Sequence, residues 1–277
     1  TLQPQASLTV IDQSTGEVKA IVGGRGDKTA SKTLNRATDT TRQPGSTFKI
    51  LAAYSAALDA GGLTLASVQD DAPYTYAGAN GKSVNNYDRR YRGFTTLREA
   101  ITDSINIVTV KTLAQAGVSL GWQYVQEYGF TTVDSRDMNE ALALGGITQG
   151  VSNLELTAAY AAIANQGTYI KPKFYTKILD HDGNVLIDNT TPESHTVIKD
   201  TTAWLLTSAM EDVMTSGTGT SAYFGSSMAQ AGKSGTTTSS RDALFAGYTP
   251  YYTCAVWGGY DDNAMQKGSD TNYPKRI

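Results

Sequence analysis

Arg42-Gln43-Pro44-Gly45-Ser46-Thr47-Phe48-Lys49 is the stretch from which the rest of the chain can be read. Pro44-Gly45 stops a polar, irregular run over 27–43, and apolar residues then recur at helical spacing: Phe48, Leu51, Ala52, Leu58. Ser46 therefore stands at or near a helix N-terminus, with Lys49 one turn on. Side chains at i and i+3 share a helix face, roughly 5–6 Å apart at Cβ. A serine is a weak nucleophile until its proton is taken. A neutral Lys49 amine can take it if burial or a second cation depresses its pKa. The helix N-terminus favours the negative charge that develops. Alone, S-x-x-K proves little, since it arises on the order of once in a chain this long.

Two further patterns follow in order. Ser-x-Asn occurs twice, as Ser83-Val84-Asn85 and Ser104-Ile105-Asn106. The first lies in a Gly/Asn/Tyr-rich excursion over 61–94, where such residues serve turns. The second falls between helical segments at Leu97–Thr102 and Ile107–Gln115, where a tight connection aims Ser104 and Asn106 the same way; helix capping is the plainer alternative. Lys233-Ser234-Gly235 is the single Lys-[ST]-Gly. It reads as an edge strand with Lys233 on one side and Ser234, Thr236 and Thr238 on the other. Gly235 leaves room for a substrate backbone to pair; a solvent-facing strand with a protective lysine fits equally well. Taken together and in this order, the three motifs supply a nucleophile, a base, a proton relay, an amide and an anion clamp. That set suffices for acyl transfer through a serine ester without histidine or metal.

Composition agrees with a globular chain. The 277 residues are 40% hydrophobic and 18% charged, with net charge −3. No basic cluster beyond Arg89-Arg90 with Arg92 suggests nucleic acid. The longest apolar runs, 50–58 and 154–164, are too short to span a bilayer. The chain opens directly on strand-like sequence without a signal peptide, as an excised domain would. Cys254 is the one cysteine, set in an apolar run and read as a buried structural thiol.

Ala6–Asp12 and Glu17–Val22 read as a hairpin about Gln13-Ser14-Thr15-Gly16. Thr96 with Glu99 and Ser152 with Glu155 have capping-box spacing before helices. Leu142–Gly150 is a glycine-broken loop, 177–188 a hairpin about Asp182-Gly183, and Ala203–Met214 a helix. Strands return at 229–238, 244–248 and 252–259, and no further helix is legible after them. Strands at both ends with helices between predict an α+β fold whose terminal strands share one sheet. Its sheet part is 1–45 and 200–277; 46–199 is mainly helical with loop insertions.

On these motifs the chain resembles the penicillin-recognising serine enzymes, most closely the transpeptidase domain of class A penicillin-binding proteins. The likeness also rests on Gly16–Gly24, Leu97-Arg98-Glu99-Ala100, Leu144-Gly145-Gly146 and Trp257-Gly258-Gly259-Tyr260-Asp261. It implies a five-stranded antiparallel sheet flanked by helices, an all-helical subdomain and a cleft between. It implies Ser46 as nucleophile, Lys49 as base, Ser104 as relay and Asn106 as holder of the acyl-chain amide. Lys233 would support Ser104 and attract the substrate carboxylate, which Ser234 and Thr236 would bind beside Gly235 and Thr238. The N–H groups of Ser46 and Thr236 would form the oxyanion hole. The implied partners are a peptidoglycan stem peptide ending in D-Ala-D-Ala and β-lactams, with no cofactor. The implied place is the outer face of a bacterial membrane, anchored by a segment outside this chain. Lys-Ser-Gly replaces the commoner Lys-Thr-Gly and keeps the hydroxyl.

Other readings fit less well. A β-lactamase would need a water-activating glutamate in E-x-x-L-N, which neither Glu140 nor Glu155 begins. A D,D-carboxypeptidase shares every motif, and a non-catalytic β-lactam sensor would acylate without turnover. His181 and His195 lie in polar turns, Ser46 lacks G-x-S-x-G, and no H-E-x-x-H exists, so a Ser-His-Asp site and a catalytic metal are not expected.

Overall fold

The computed structural model describes residues 3–28, 30–77, 81–268 and 270–277. One five-stranded antiparallel sheet organises it. Its strands are β1 (Gln5–Asp12), β2 (Glu17–Val22), β11 (Ala231–Thr236), β12 (Asp242–Tyr248) and β13 (Tyr252–Gly259), in the order β11-β12-β13-β1-β2. The two ends of the chain meet where Gln5 pairs with Gly259 and Asp12 with Tyr252. Strands from both ends thus share one sheet, as their placement predicts, and it is antiparallel throughout, as the resemblance implies.

The helices are α1 (Ser55–Asp59), α2 (Leu97–Thr102), α3 (Asn106–Ala116), α4 (Val118–Glu127), α5 (Asn153–Ala164) and α6 (Asp200–Thr215). Both expected capping boxes form, Thr96–Glu99 before α2 and Ser152–Glu155 before α5. α5 is apolar nearly all round, and residues 156–163 are buried. A helix of that kind belongs inside. It lies between the sheet and the other helices. Asn153 ties its N-terminus down, accepting from Thr9 Oγ1 at 2.7 Å and donating to Ala255 O at 3.0 Å. α6 packs along β11 and extends further than its expected 203–214.

The segment after Ser46 is not one regular helix. Gly45–Thr47 is a 3-10 turn, Phe48 and Lys49 are α-helical, Ile50–Tyr54 is a π-helix, and Ser55–Asp59 returns to α-helix. Ser55 holds the wide turn, since both its backbone N–H and its hydroxyl bond Ile50 O. Short π segments of this kind occur often at functional sites. Apolar spacing marks the buried face but does not separate an α turn from a π turn.

The 61–94 excursion is more structured than its composition suggests. It holds β3 (Val68–Asp71) paired with β6 (Gly93–Thr96), and β4 (Tyr74–Thr75) paired with β5 (Ser83–Val84). Asp71, Val84 and Asn86 are buried in it. Smaller pairs are β7 (Thr168–Ile170) with β10 (Ser194–Thr196) and β8 (Lys177–Leu179) with β9 (Val185–Asp188). The last pair is the hairpin expected about Asp182-Gly183. After β13, Asp270–Lys275 forms a 3-10 helix where none was expected, and Pro274 packs at Gly258. Cys254 is partly buried, which pushes its thiol up to about 11. No helix among the described residues is long and apolar enough to cross a membrane.

Candidate active site

Ser46 is held in place from three sides. Arg42 pairs with Val151 through two backbone bonds of 2.9 Å. Gln43 exchanges side-chain bonds with the backbone of Ile147, in the glycine-broken loop. Tyr160 of α5 donates its hydroxyl to Thr47 O at 2.7 Å. Ser46 itself is part-exposed, and its hydroxyl has no hydrogen bond among the described residues. It is therefore free to meet a ligand.

Lys49, three residues on, meets Ser104, Asn106 and Lys233 in one cluster. Lys49 is fully buried, and its Nζ donates to Ser104 O at 2.7 Å, Asn106 Oδ1 at 2.6 Å and Ser104 Oγ at 3.2 Å. Lys233 is also fully buried and donates to the same Ser104 Oγ at 2.8 Å and to Ser234 O at 3.2 Å. Ser104 adopts φ +56°, a left-handed conformation unusual for serine, in the tight link between α2 and α3. Strain of this sort is tolerated where surroundings over-determine a conformation. Of the two Ser-x-Asn patterns, only the second brings its serine to the lysines. Ser83-Val84-Asn85 lies alongside, where Asn85 O accepts from Asn106 Nδ2 at 2.7 Å.

Two buried cations sharing one hydroxyl cannot both hold their protons easily. Burial first, and then the Lys233 charge, keep the Lys49 ammonium well below its usual 10.5. Burial, with Lys275 adding repulsion, brings Lys233 down to about 7. Both lysines are thus pushed towards the neutral amine, and the two titrate as one coupled system. This has a stability consequence. Below pH 7, Lys233 is charged in folded and unfolded chains alike, and the full burial cost applies. Between pH 7 and 10.5 the unfolded chain binds the extra proton, so this contribution to stability rises with pH. Accordingly, the melting-temperature gain of Lys233→Met over wild type should shrink from pH 7 to pH 9.5. A gap independent of pH would show that Lys233 does not titrate in this way.

β11 carries the remaining candidates. Lys233 pairs across from Ala246 and Ser234 from Phe245, so they face opposite sides. Ser234 is buried, and its hydroxyl donates to Thr218 Oγ1 at 2.9 Å. Gly235 faces the 44–47 turn: a Cβ there would sit 2.7 Å from Pro44 O and 2.9 Å from Thr47 Cγ2. Its missing side chain admits the turn that carries Ser46, a different reason from the substrate approach expected. Thr236 is part-exposed and borders the turn, with its carbonyl oxygen 3.1 Å from where a Gly45 Cβ would lie. Thr238 lies beyond the strand, exposed in the 3-10 turn Thr238–Ser240, so the alternation stops short of it. Thr218 was invisible to motif reading, being one threonine in a Ser/Gly/Thr loop. His181 and His195 are exposed, away from this cluster.

A family model described as the penicillin-binding protein transpeptidase domain matches residues 6–273. The chain is 40% identical over 281 residues to penicillin-binding protein 1F of Bacillus subtilis, covering 99% of this chain and 38% of that protein. It is 36% identical over 289 residues to penicillin-binding protein 1A of Clostridium botulinum, covering all of this chain and 34% of that protein. The chain thus spans little more than a third of the curated relatives it matches. The crystal structure of penicillin-binding protein 1A from Haemophilus influenzae superposes with a TM-score of 0.85 at 27% identity, over 99% of this chain and 46% of that one. The PonA1 protein of Mycobacterium tuberculosis, solved with penicillin V, shares the fold at a TM-score of 0.84 and 24% identity, over 99% of this chain and 75% of that one. With the sheet order, the lysine–serine cluster and a match over nearly its whole length, the chain belongs to the family of penicillin-binding protein transpeptidase domains.

Proposed function

We propose that this domain is a D,D-transpeptidase that cross-links peptidoglycan stem peptides through an acyl-enzyme on Ser46 and is trapped by β-lactams. The observation that carries the proposal is the environment of Lys49. Its two nearest partners, Ser104 O and Asn106 Oδ1, are carbonyl oxygens that only accept. A neutral amine has two N–H groups for them and one lone pair left over. On this reading that lone pair, beside the longer 3.2 Å contact to Ser104 Oγ, takes the Ser46 proton.

Ser46 Oγ attacks the carbonyl between the two terminal D-alanines, and its proton passes to Lys49. The N–H groups of Ser46 and Thr236 receive the oxyanion, each donor contributing about 2.7–4 kcal/mol in comparable sites. The C–N bond then breaks. Lys233 donates to Ser104 Oγ, so the Ser104 hydroxyl proton is directed towards the departing amine, and Lys49 returns a proton to Ser104. D-Ala leaves, with its carboxylate drawn by Lys233 and by the hydroxyls of Ser234 and Thr236. An amine of a neighbouring stem peptide attacks the ester, forms the cross-link and restores the Ser46 hydroxyl. A β-lactam opens its ring at the same step and stays attached. This chemistry places the domain outside the bacterial cytoplasm.

Labelled penicillin is expected to add covalently to wild type and not to Ser46→Ala, read by intact-mass spectrometry. Equal labelling of both would end the proposal. With a D-Ala-D-Ala peptide, an added amine acceptor should divert product from the free acid to the cross-linked amide. Free acid alone, whatever the amine, would mark a carboxypeptidase instead.

A further inference from the structure

We infer that Asn86 is a positioning residue for the acylation step: clamped by the buried Asp71 carboxylate, it fixes the start of α3 and thereby aims the Asn106 amide at Lys49. The inference rests on the function proposed above and deepens it.

α3 begins at Asn106 without a side-chain cap of its own, because its N-cap position is Ile105. Uncapped first-turn N–H groups need partners from elsewhere. Asn86 provides one from the preceding excursion. Its Oδ1 accepts from Asn106 N at 3.0 Å and from Ile107 N at 3.2 Å. Its Nδ2 donates to Asp71 Oδ1 at 2.8 Å, Asp71 Oδ2 at 2.9 Å and Arg90 O at 2.8 Å. Asn86 is 4% exposed and Asp71 fully buried. An ionised carboxylate only accepts, so the amide has one allowed orientation, with its NH2 on Asp71 and its oxygen on the helix. Asp71 is held in turn by Arg92, whose backbone N–H donates at 2.9 Å and whose guanidinium lies 3.9 Å away.

The neighbouring residue completes the grip. Asn85 O accepts from Asn106 Nδ2, which leaves Asn106 Oδ1 facing Lys49. One dipeptide, Asn85-Asn86, thus sets both the backbone and the side-chain orientation of Asn106. Asn106 in turn sets which protons of the Lys49 amine are engaged and where its lone pair points. In sites of this kind a misplacement of about 1 Å can cost on the order of a hundredfold in rate.

The test is the penicillin acylation rate constant as a function of pH, with thermal melts, for wild type, Asn86→Ala, Asn86→Asp and the double exchange Asn86→Asp with Asp71→Asn. Asn86→Ala should slow acylation by about 10–100-fold in protein that remains folded. Freed from Asn86, Asn106 Oδ1 no longer favours the Lys49 ammonium, so the acid limb of the rate profile should move to lower pH. The charged group that bears on Lys49 is Lys233 of β11, present in every variant. Asn86→Asp sets two carboxylates against each other and should be slow; the double exchange restores a donor facing an acceptor between positions 71 and 86, without the bond to Arg90 O, and should be faster than Asn86→Asp. Folded Asn86→Ala with the wild-type rate, an unmoved acid limb, or a double exchange no faster than Asn86→Asp would each overturn the inference. If Asn86→Ala does not fold, the Asn86→Asp and double-exchange comparison decides alone. Failure of wild type to acylate at Ser46 would instead sink the proposed function.

Discussion

Lys49→Ala is expected to abolish useful acylation, lowering the rate constant for penicillin by about a thousandfold or more while the protein stays folded. General-base catalysis commonly contributes 10²–10⁴-fold, and Lys49 is the base of the proposed mechanism. The substitution also removes one of two crowded cations. Relief of that repulsion offsets part of the packing lost, so a collapse of the fold is not expected. Lys49→Met, which keeps the volume, should behave alike in rate and melt closer to wild type. In wild type the rate should fall on the acid side, as the depressed Lys49 pKa is crossed and the lone pair becomes protonated. This limb should be missing from the residual activity of Lys49→Ala. Acylation of a folded variant at near wild-type rate would remove Lys49 from the mechanism.

Gly235→Ala should be nearly as damaging for a different reason. The strand and the turn at Ser46 touch backbone to backbone. A Cβ on Gly235 would lie 2.7 Å from Pro44 O, and one on Gly45 would lie 3.1 Å from Thr236 O. Neither obstacle is a side chain that can rotate away. β11 must shift from the turn, at an overpacking cost of about 1–3 kcal/mol. The shift also separates the N–H groups of Ser46 and Thr236. Loss of one oxyanion donor elsewhere costs about 10²–10³-fold in rate, and a drop of at least about a hundredfold is expected here. β11 also carries Lys233, whose charge lowers the Lys49 pKa, so withdrawal of the strand should move the acid limb to higher pH. A melt combined with stopped-flow acylation checks both parts; a near wild-type rate would show that the two amides do not act together.

Much of this arrangement was legible before any coordinates, for identifiable reasons. Strand-like runs located all five strands of the main sheet, with Glu17–Val22 and Tyr252–Gly259 matched to the residue. The capping boxes at Thr96 and Ser152 were readable because a cap is a local bond with a fixed spacing. Three parts were not. The π turn at Ile50–Tyr54 depends on Ser55 reaching Ile50 O and Tyr128 at 2.9 Å, and Tyr128 is remote in sequence. α4 begins at Val118 straight after Gly117, so two helices abut where a single Gly gave little warning. The 61–94 segment looks like loop because its strands are short and its organising contacts, Asp71 to Asn86 to α3, are polar and buried. Within the site, Lys49, Ser104, Asn106 and Lys233, which the structure brings together, were visible as spaced motifs. Thr218 and Asn86 were not, since each acts through a tertiary hydrogen bond that leaves no pattern in the sequence.

The pairing of Gln5–Asp12 with Tyr252–Gly259 constrains how the molecule can be made. As synthesis proceeds, the β1–β2 hairpin emerges before β13, and the edge of β1 has no neighbour until the last strands of the sheet have followed. Contacts so distant along the chain are slow to close, and an unpaired edge invites pairing with the wrong molecule. The helices from Leu97 to Ala164 can assemble among themselves in the meantime. Completion of the sheet also delivers Lys233 to Ser104, so on the proposed mechanism the domain gains its chemistry only when β11 has been laid down.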